Sequence, residues 1–255
     1  MFFLLYADGA MNTNIDISII IPAYNEAAYL PACINAIKQQ KGAWNVEIIV
    51  VDNASTDNTA EVARVRGVRV VRETSRGVGR ARSTGTAQAR GRYVLHIDAD
   101  TRLPHDYLSY VFNRFEQEEH LVCLGGIMTW YDKPAWINTI FVTLQIPACY
   151  VVCWMSRGAL GPVGNNMTFR KDTYEKTSGF ATDRKYGEEA DLTRKLHKFG
   201  TVELDTHLRC PVSARRIQLN KAFFVYCLNL IWICWFDKPF SNVLPEVEEE
   251  TTWKM

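Results

Sequence analysis

The chain has 255 residues, 47% hydrophobic and 22% charged, with a net charge of +1. That length holds one large α/β domain or two small ones, and the composition is that of a globular protein. The balanced charge gives no overall steering towards nucleic acid.

Seven cysteines without a CxxC pair offer neither a zinc ribbon nor a thioredoxin motif. An odd, unpatterned set suits a reducing compartment, where Cys serves as a small core residue. Cys149 and Cys153 lie one helical turn apart with no nearby His or Cys to complete a site, so both are expected in the core.

The first residues, Met1-Phe-Phe-Leu-Leu-Tyr6, are apolar but meet Asp8 too soon to span a bilayer, and they lack the basic flank of a signal peptide. Residues 1–14 are expected to be an N-terminal extension, with Met11 a candidate start. Residues 17–21 are a run of β-branched residues closed by Pro22, which reads as a strand. Residues 26–39 show helical spacing, with Leu30, Cys33, Ile34 and Ile37 on one stripe. Residues 47–51 form a second buried-strand pattern, ending in Asp52-Asn-Ala-Ser-Thr-Asp-Asn58. Those polar side chains suit turns and a helix N-cap, and Glu61 follows Asn58 near capping-box spacing. Residues 68–71 and 93–97 supply further strands, with a helix-compatible stretch at 79–89 between them. Such alternation predicts a mostly parallel, doubly wound sheet covered by helices, with ligands at the carboxyl ends of its strands.

Three polar clusters fall on that edge: Pro22-Ala-Tyr24-Asn25-Glu26, Asp52, and Asp98-Ala99-Asp100. Two carboxylates at the end of a buried strand are costly unless a cation meets them. Hard oxygen ligands of this kind suit Mg²⁺ or Mn²⁺ carrying a phosphorylated ligand. A solvated turn with Asp capping the next helix is the other reading of the pair.

The second half is less regular. Residues 130–154 are rich in aromatic and aliphatic side chains and lead into a Gly-rich loop at 156–166. Gly187-Glu188-Glu189-Ala190-Asp191-Leu192 opens a helix that runs through Phe199. Residues 222–236 form an apolar run, too short and aromatic for a transmembrane helix; packing on the core is expected, with a membrane surface as the alternative. The tail carries Glu246 and Glu248-Glu249-Glu250. The division is therefore an extension at 1–14, one domain at 15–217, and an apolar appendage with an acidic tail at 218–255.

Gly77-Val78-Gly79 hints at a dinucleotide fingerprint, but Arg82 stands where the third Gly belongs and no strand leads tightly into it. There is no GxxxxGK[ST] loop, so dehydrogenase and ATPase readings lose their support. What remains resembles the family 2 glycosyltransferases. The matching residues are Ile21-Pro22-Ala-Tyr24-Asn25-Glu26, Val51-Asp52-Asn-Ala-Ser-Thr-Asp57, Ala81-Arg82-Ser-Thr-Gly85 and Asp98-Ala-Asp100. Downstream come Gly164-Asn-Asn-Met-Thr-Phe-Arg170, Ser178-Gly179-Phe180 and Gly187-Glu-Glu-Ala-Asp-Leu192, in the same order as in the family.

The resemblance covers about residues 15–217. It implies the GT-A fold, a Rossmann-like, mostly parallel sheet flanked by helices and joined to an acceptor-binding half. It implies a metal-dependent, inverting transferase that moves a sugar from a UDP- or GDP-sugar donor to an acceptor hydroxyl. By it, Asp52 contacts the base, while Pro22, Tyr24 and Glu26 line the base and ribose pocket. Arg82 lies near the nucleotide, with Arg76 and Arg80 as neighbours; for Arg76 a solvated helix face is favoured. Asp100 ligates the divalent metal, Mn²⁺ or Mg²⁺, and Asp98 contacts the ribose or a metal-bound water. His207 is the candidate third ligand.

A carboxylate must take the acceptor's proton, and the family's position for that base falls on Glu189, where Asp is usual. Glu188 and Asp191 are its rivals, and Asp191 alternatively complements a helix N-terminus. Arg215 and Arg216 could bind diphosphate or an anionic acceptor, or pair with the acidic tail. The acceptor could be a cell-envelope glycan, a lipid-linked sugar or a small molecule. A membrane surface and a second copy of the chain are further candidate partners, nucleic acid is not, and the expected location is cytoplasmic or on the inner face of the membrane. The competing readings are a nucleotide-sugar-binding protein that has lost catalysis and, less favoured, a nucleotidyltransferase.

Overall fold

The computed structural model describes residues 15–162, 165–184 and 187–215, together with Leu228 and Trp232. The expectations for residues 1–14, Arg216, most of the apolar run 222–236 and the acidic tail lie outside the described residues.

The chain begins with β1 (Ile17–Ala23), α1 (Leu30–Lys38), β2 (Val46–Asn53), α2 (Thr59–Val65), β3 (Arg69–Glu73), α3 (Val78–Ala87) and β4 (Tyr93–Ile97). It continues with α4 (Tyr107–Gln117), β5 (Leu121–Trp130), α5 (Ala135–Met155), β6 (Asn166–Arg170), α6 (Lys171–Tyr174), α7 (Glu188–His197) and β7 (Thr201–Val212). The strands form one sheet in the order β3-β2-β1-β4-β6-β5-β7. All neighbours pair in parallel except β6, which is antiparallel to both β4 and β5. A mostly parallel sheet is thus the observed architecture.

β1 shows why its apolar run is continuous. Ile17, Ile19 and Ile21 pack with Leu30, Ile34 and Phe112 from α1 and α4, whereas Ile20 packs on the other face with Ala81 and Leu192 from α3 and α7. Successive side chains point to opposite faces, and both faces are covered. Each buried Ile contributes about 1.5–3 kcal/mol.

Three boundaries differ from the sequence reading. α1 starts at Leu30 because residues 26–29 form a turn in which the Glu26 carbonyl accepts from Tyr29 and Leu30 N–H (3.1 and 3.0 Å). β3 runs to Glu73, so a strand does end close before Gly77. Asn58 occupies the N-cap position of α2 without making a side-chain cap; instead Asp57 Oδ1 accepts from Thr59 N–H at 2.9 Å. The cysteines also divide. Cys33, Cys123 and Cys210 are buried core residues, but Cys149 and Cys153 sit half-exposed on α5 and not in the core, because that helix lies on the surface.

Candidate active site

The register places the carboxyl ends of the central strands level with one another: Ala23 of β1 lies opposite Asp52 of β2, which lies opposite Arg72 of β3. The loop after β1 is tied to the loop after β2. Asn25 N–H donates to Ser55 Oγ (3.1 Å), Glu26 N–H to Thr59 Oγ1 (2.8 Å), and Thr56 N–H to Asn25 Oδ1 (2.8 Å). Asn25 and Ala54 both adopt left-handed backbone (φ 53° and 59°), a conformation that Asn tolerates better than Ala. Asp52 is buried and accepts from Ser55 N–H at 3.1 Å.

Asn53 then clips a third loop to this edge. Its side chain donates to the Ser75 carbonyl and accepts from Gly77 N–H, both at 2.8 Å. Gly77 takes φ 146°, which favours glycine. The clip carries Arg76 over the ring of Tyr24, 3.9 Å from its centroid. Arg76 is exposed, as the sequence reading favoured, but it stands in the loop before α3 rather than on a helix face, stacked on Tyr24.

The second half of the site is a knot of charge. Arg82 of α3 is buried and donates to Glu188 at 2.7 Å and, by a short bond, to Glu189, both in the first turn of α7. Its other nitrogen reaches Asp98 at 3.5 Å. Arg215, beyond β7, donates to Asp100 at 3.3 Å and to both oxygens of Glu26 at 2.6 and 2.5 Å, with its guanidinium stacked 3.8 Å over Tyr29. Glu26 is therefore held by Arg215, while Pro22 lies within β1 opposite Val51.

Burial pushes the Asp98 carboxyl up to about 6, opposed by Arg82 and reinforced by Asp100 and Glu189. Burial likewise raises Asp100 against the pull of Arg215. Glu188 is raised by burial and by Glu189. The carboxylates outweigh burial in setting Arg82, whose guanidinium is held firmly protonated.

Asp98 and Asp100 fit a divalent cation by the chemistry of their donors. They are hard oxygens that meet guanidinium only at 3.3–3.5 Å, the long end of hydrogen bonding, with Asp100 buried and the Asp98 side chain 37% exposed. Among the described residues no group of three or more His, Cys, Asp or Glu side chains is gathered to hold a metal. His207 stands elsewhere: its side chain is 87% exposed and its Nδ1 lies 3.2 Å from Asp205. Asp205 in turn accepts from Arg114 and Tyr110 of α4. Asp191 is turned away into pairs with Lys195 (2.5 Å) and Arg184 (3.4 Å). The structure thus brings Arg82, Glu188, Glu189 and Asp98 together, with Asp100, Glu26 and Arg215 beside them. It does not bring Asp191 or His207 into contact with them.

Sequence reasoning passed over Asn53, which stood inside a quoted motif as a turn residue, and Asp132. The Asp132 carboxylate accepts from Ser213 Oγ (2.6 Å) and Ala214 N–H (2.9 Å), fixing the strand exit that delivers Arg215. Neither has a local sequence signal, because both act on segments remote in sequence.

Glycosyl transferase family 2 matches residues 18–176, more than half of the chain, and the chain belongs to that family. Among curated relatives, the glycosyltransferase GlyG of Streptococcus pneumoniae serotype 4 is 30% identical over 135 residues, 51% of this chain and 44% of that protein. The uncharacterized glycosyltransferase EpsJ of Bacillus subtilis is 33% identical over 138 residues, 52% of this chain and 38% of that protein. The chain therefore matches less than half the length of these relatives. Among solved structures, the mannosyltransferase PcManGT of Pyrobaculum calidifontis, in complex with GDP-Man and Mn²⁺, superposes with a TM-score of 0.67 at 20% identity, covering 86% of this chain and 63% of that one. TarS 1–349 of S. aureus, in complex with UDP-GlcNAc, gives 0.62 at 16% identity, covering 89% and 68%. These likenesses establish the GT-A fold.

Proposed function

We propose that the protein is a metal-dependent, inverting glycosyltransferase that moves a sugar from a UDP- or GDP-sugar to an acceptor hydroxyl. The observation that carries this reading is Arg82, which gathers Glu188, Glu189 and Asp98 at the carboxyl edge of the sheet beside Asp100. The family membership and the sugar nucleotides bound by PcManGT and TarS support it.

In this reading the base and ribose lie along Pro22, Tyr24, Asp52 and Arg76. Asp98 and Asp100 would hold Mn²⁺ or Mg²⁺, and the metal would supply electrostatic stabilisation of the charge that develops on the diphosphate. Arg215, paired with Asp100 and Glu26, would place its positive charge beside the diphosphate. Glu189 takes the proton from the acceptor hydroxyl as its oxygen forms a bond to the anomeric carbon. The bond from that carbon to the phosphate oxygen breaks, and its electron pair leaves with the nucleoside diphosphate. Glu189 is preferred over Glu188 because its side chain is 22% exposed against 3%. It is preferred over Asp191 because Asp191 is spent on Lys195 and Arg184. The acceptor is a glycan, a lipid-linked sugar or a small molecule with a free hydroxyl. The buried free thiols Cys33, Cys123 and Cys210 support a reducing, cytoplasmic setting.

A panel of UDP- and GDP-sugars with Mn²⁺ tests the reading. Release of nucleoside diphosphate that disappears in Asp100→Ala is expected. Binding of every donor without turnover would instead make this a nucleotide-sugar-binding protein, and pyrophosphate release from a nucleoside triphosphate would overturn the assignment.

A further inference from the structure

Helix α5 does not follow the rules of a soluble surface. None of its 21 residues carries a formal charge, and none is buried. A helix that is apolar all round belongs in a core or in lipid. Trp136, Ile140, Leu144, Val151 and Trp154 recur at helical spacing on one face, with exposures between 52% and 80%, and Tyr150 (60%) lies beside them.

The polar groups on that face are turned inward. Thr139 Oγ1 donates to the Ala135 carbonyl (2.9 Å) and Thr143 Oγ1 to the Thr139 carbonyl (2.8 Å), which leaves their methyl groups outermost. Trp136 and Trp154 stand at opposite ends of the stripe, where amphipathic aromatics sit in a lipid headgroup layer. The flanking charges are exposed cations, Lys133 before the helix and Arg157 after it. The flanking acid Asp132 is exposed, and its carboxylate accepts from Ser213 Oγ and Ala214 N–H.

At about 31 Å the helix is long enough to cross a bilayer, but both of its ends are held to the same domain. Near its start, Trp130 N–H donates to Asn138 (2.9 Å) and the Trp130 ring stacks on Phe141 at 3.8 Å. Near its end, Val152 and Met155 pack with Leu160 beside Ala190 of α7. The helix therefore lies along the domain with its apolar stripe outward.

We propose that α5 is a membrane-docking helix, lying in the plane of an anionic lipid surface with Trp136, Ile140, Leu144, Val151 and Trp154 among the acyl chains and Lys133 and Arg157 at the headgroups. The docked orientation sets the candidate active site at the lipid surface from both ends of the helix: Asp132 adjoins the exit to Arg215, and Ala190 follows Glu189. An acceptor anchored in lipid is the consequence, and only that consequence rests on the transfer reading.

The test is flotation of the full chain with phosphatidylcholine vesicles, with and without phosphatidylglycerol. The wild type floats, more so with phosphatidylglycerol; the exposed double variant Ile140→Glu/Leu144→Glu and the single variant Thr143→Lys lose at least tenfold in partitioning while keeping the wild-type circular dichroism spectrum. Lys133→Gln/Arg157→Gln loses the dependence on phosphatidylglycerol. A wild type that stays with the soluble fraction, or charged variants that float equally well, overturns the proposal. A wild-type dimer that Leu144→Glu dissociates, without vesicle binding, overturns it in favour of a second copy on this face. Nucleoside diphosphate release with a soluble acceptor, measured on the same variants, reads the transfer proposal separately and is expected to be unchanged.

Discussion

Arg82 and Glu189 lie 107 residues apart in sequence, yet the guanidinium of the first donates directly to the carboxylate of the second. The pair joins α3 to α7 across the carboxyl edge of the sheet, and Glu188 and Asp98 share the same guanidinium. Removing the cation strands buried negative charge, so Arg82→Ala is expected to cost about 3–5 kcal/mol of stability, read by urea unfolding. Arg82→Lys keeps the charge but not the planar fork; it is expected to fold and to lose at least tenfold in transfer rate. Wild-type activity in Arg82→Lys would show that the pair is structural only.

Arg76 gives a binding prediction that is independent of the fold. Its stacking on Tyr24 contributes about 0.5–1 kcal/mol, because Arg76 is exposed. If the pair lines the nucleotide groove, Arg76→Ala weakens nucleoside diphosphate binding several-fold in calorimetry while the unfolding midpoint stays put. An unchanged affinity would remove Arg76 and Tyr24 from the groove.

Gly85 fixes how closely α3 lies on the sheet. A Cβ built there would sit 2.3 Å from Ile20 Cγ2 and 2.9 Å from Val51 Cγ2, both in the core. Gly85→Ala is therefore expected to destabilise the protein by about 1–3 kcal/mol through overpacking. It should also lower transfer, because the displaced helix carries Arg82. Thermal unfolding and a rate measurement on the same sample check both.

Asp205 supplies the pH dependence. Hydrogen bonds from Tyr110 and His207, with the charge of Arg114, hold its carboxyl below the usual 3.8 despite burial. A depressed folded value means that the stabilisation is present above the unfolded pKa and is lost as pH falls through the folded one. Asp205→Asn is expected to cost about 1.5–3 kcal/mol at neutral pH, and the gap to wild type should close as the pH falls below about 4. A gap that is constant with pH would contradict the charged pairing.

What the sequence made legible was whatever repeats locally. The β-branched runs of β1 and β2 announced strands buried on both faces, and the carboxyl edge followed from Pro22–Glu26, Asp52 and Asp98–Asp100 falling at strand ends. The partners of those residues were not legible. Arg215 reaches Asp100 across 115 residues, and Arg76 finds Tyr24 only because Asn53 clips the intervening loop. Asp57 displaced Asn58 as the group that satisfies the start of α2, a choice set by loop geometry rather than residue type. The apolar segment at 130–154 was open between core, interface and membrane, since periodicity shows a helix's apolar face but not what covers it.

The central claim is that Glu189 is the base of a sugar transfer, and the direct measurement compares Glu189→Gln with Asp191→Asn for transfer rate and for nucleotide affinity. The account predicts that Glu189→Gln loses at least a hundredfold in transfer, in line with the usual worth of a general base, and keeps nucleotide affinity close to wild type, while Asp191→Asn retains most of its rate. Loss of nucleotide affinity in Glu189→Gln, or greater damage from Asp191→Asn, would contradict it.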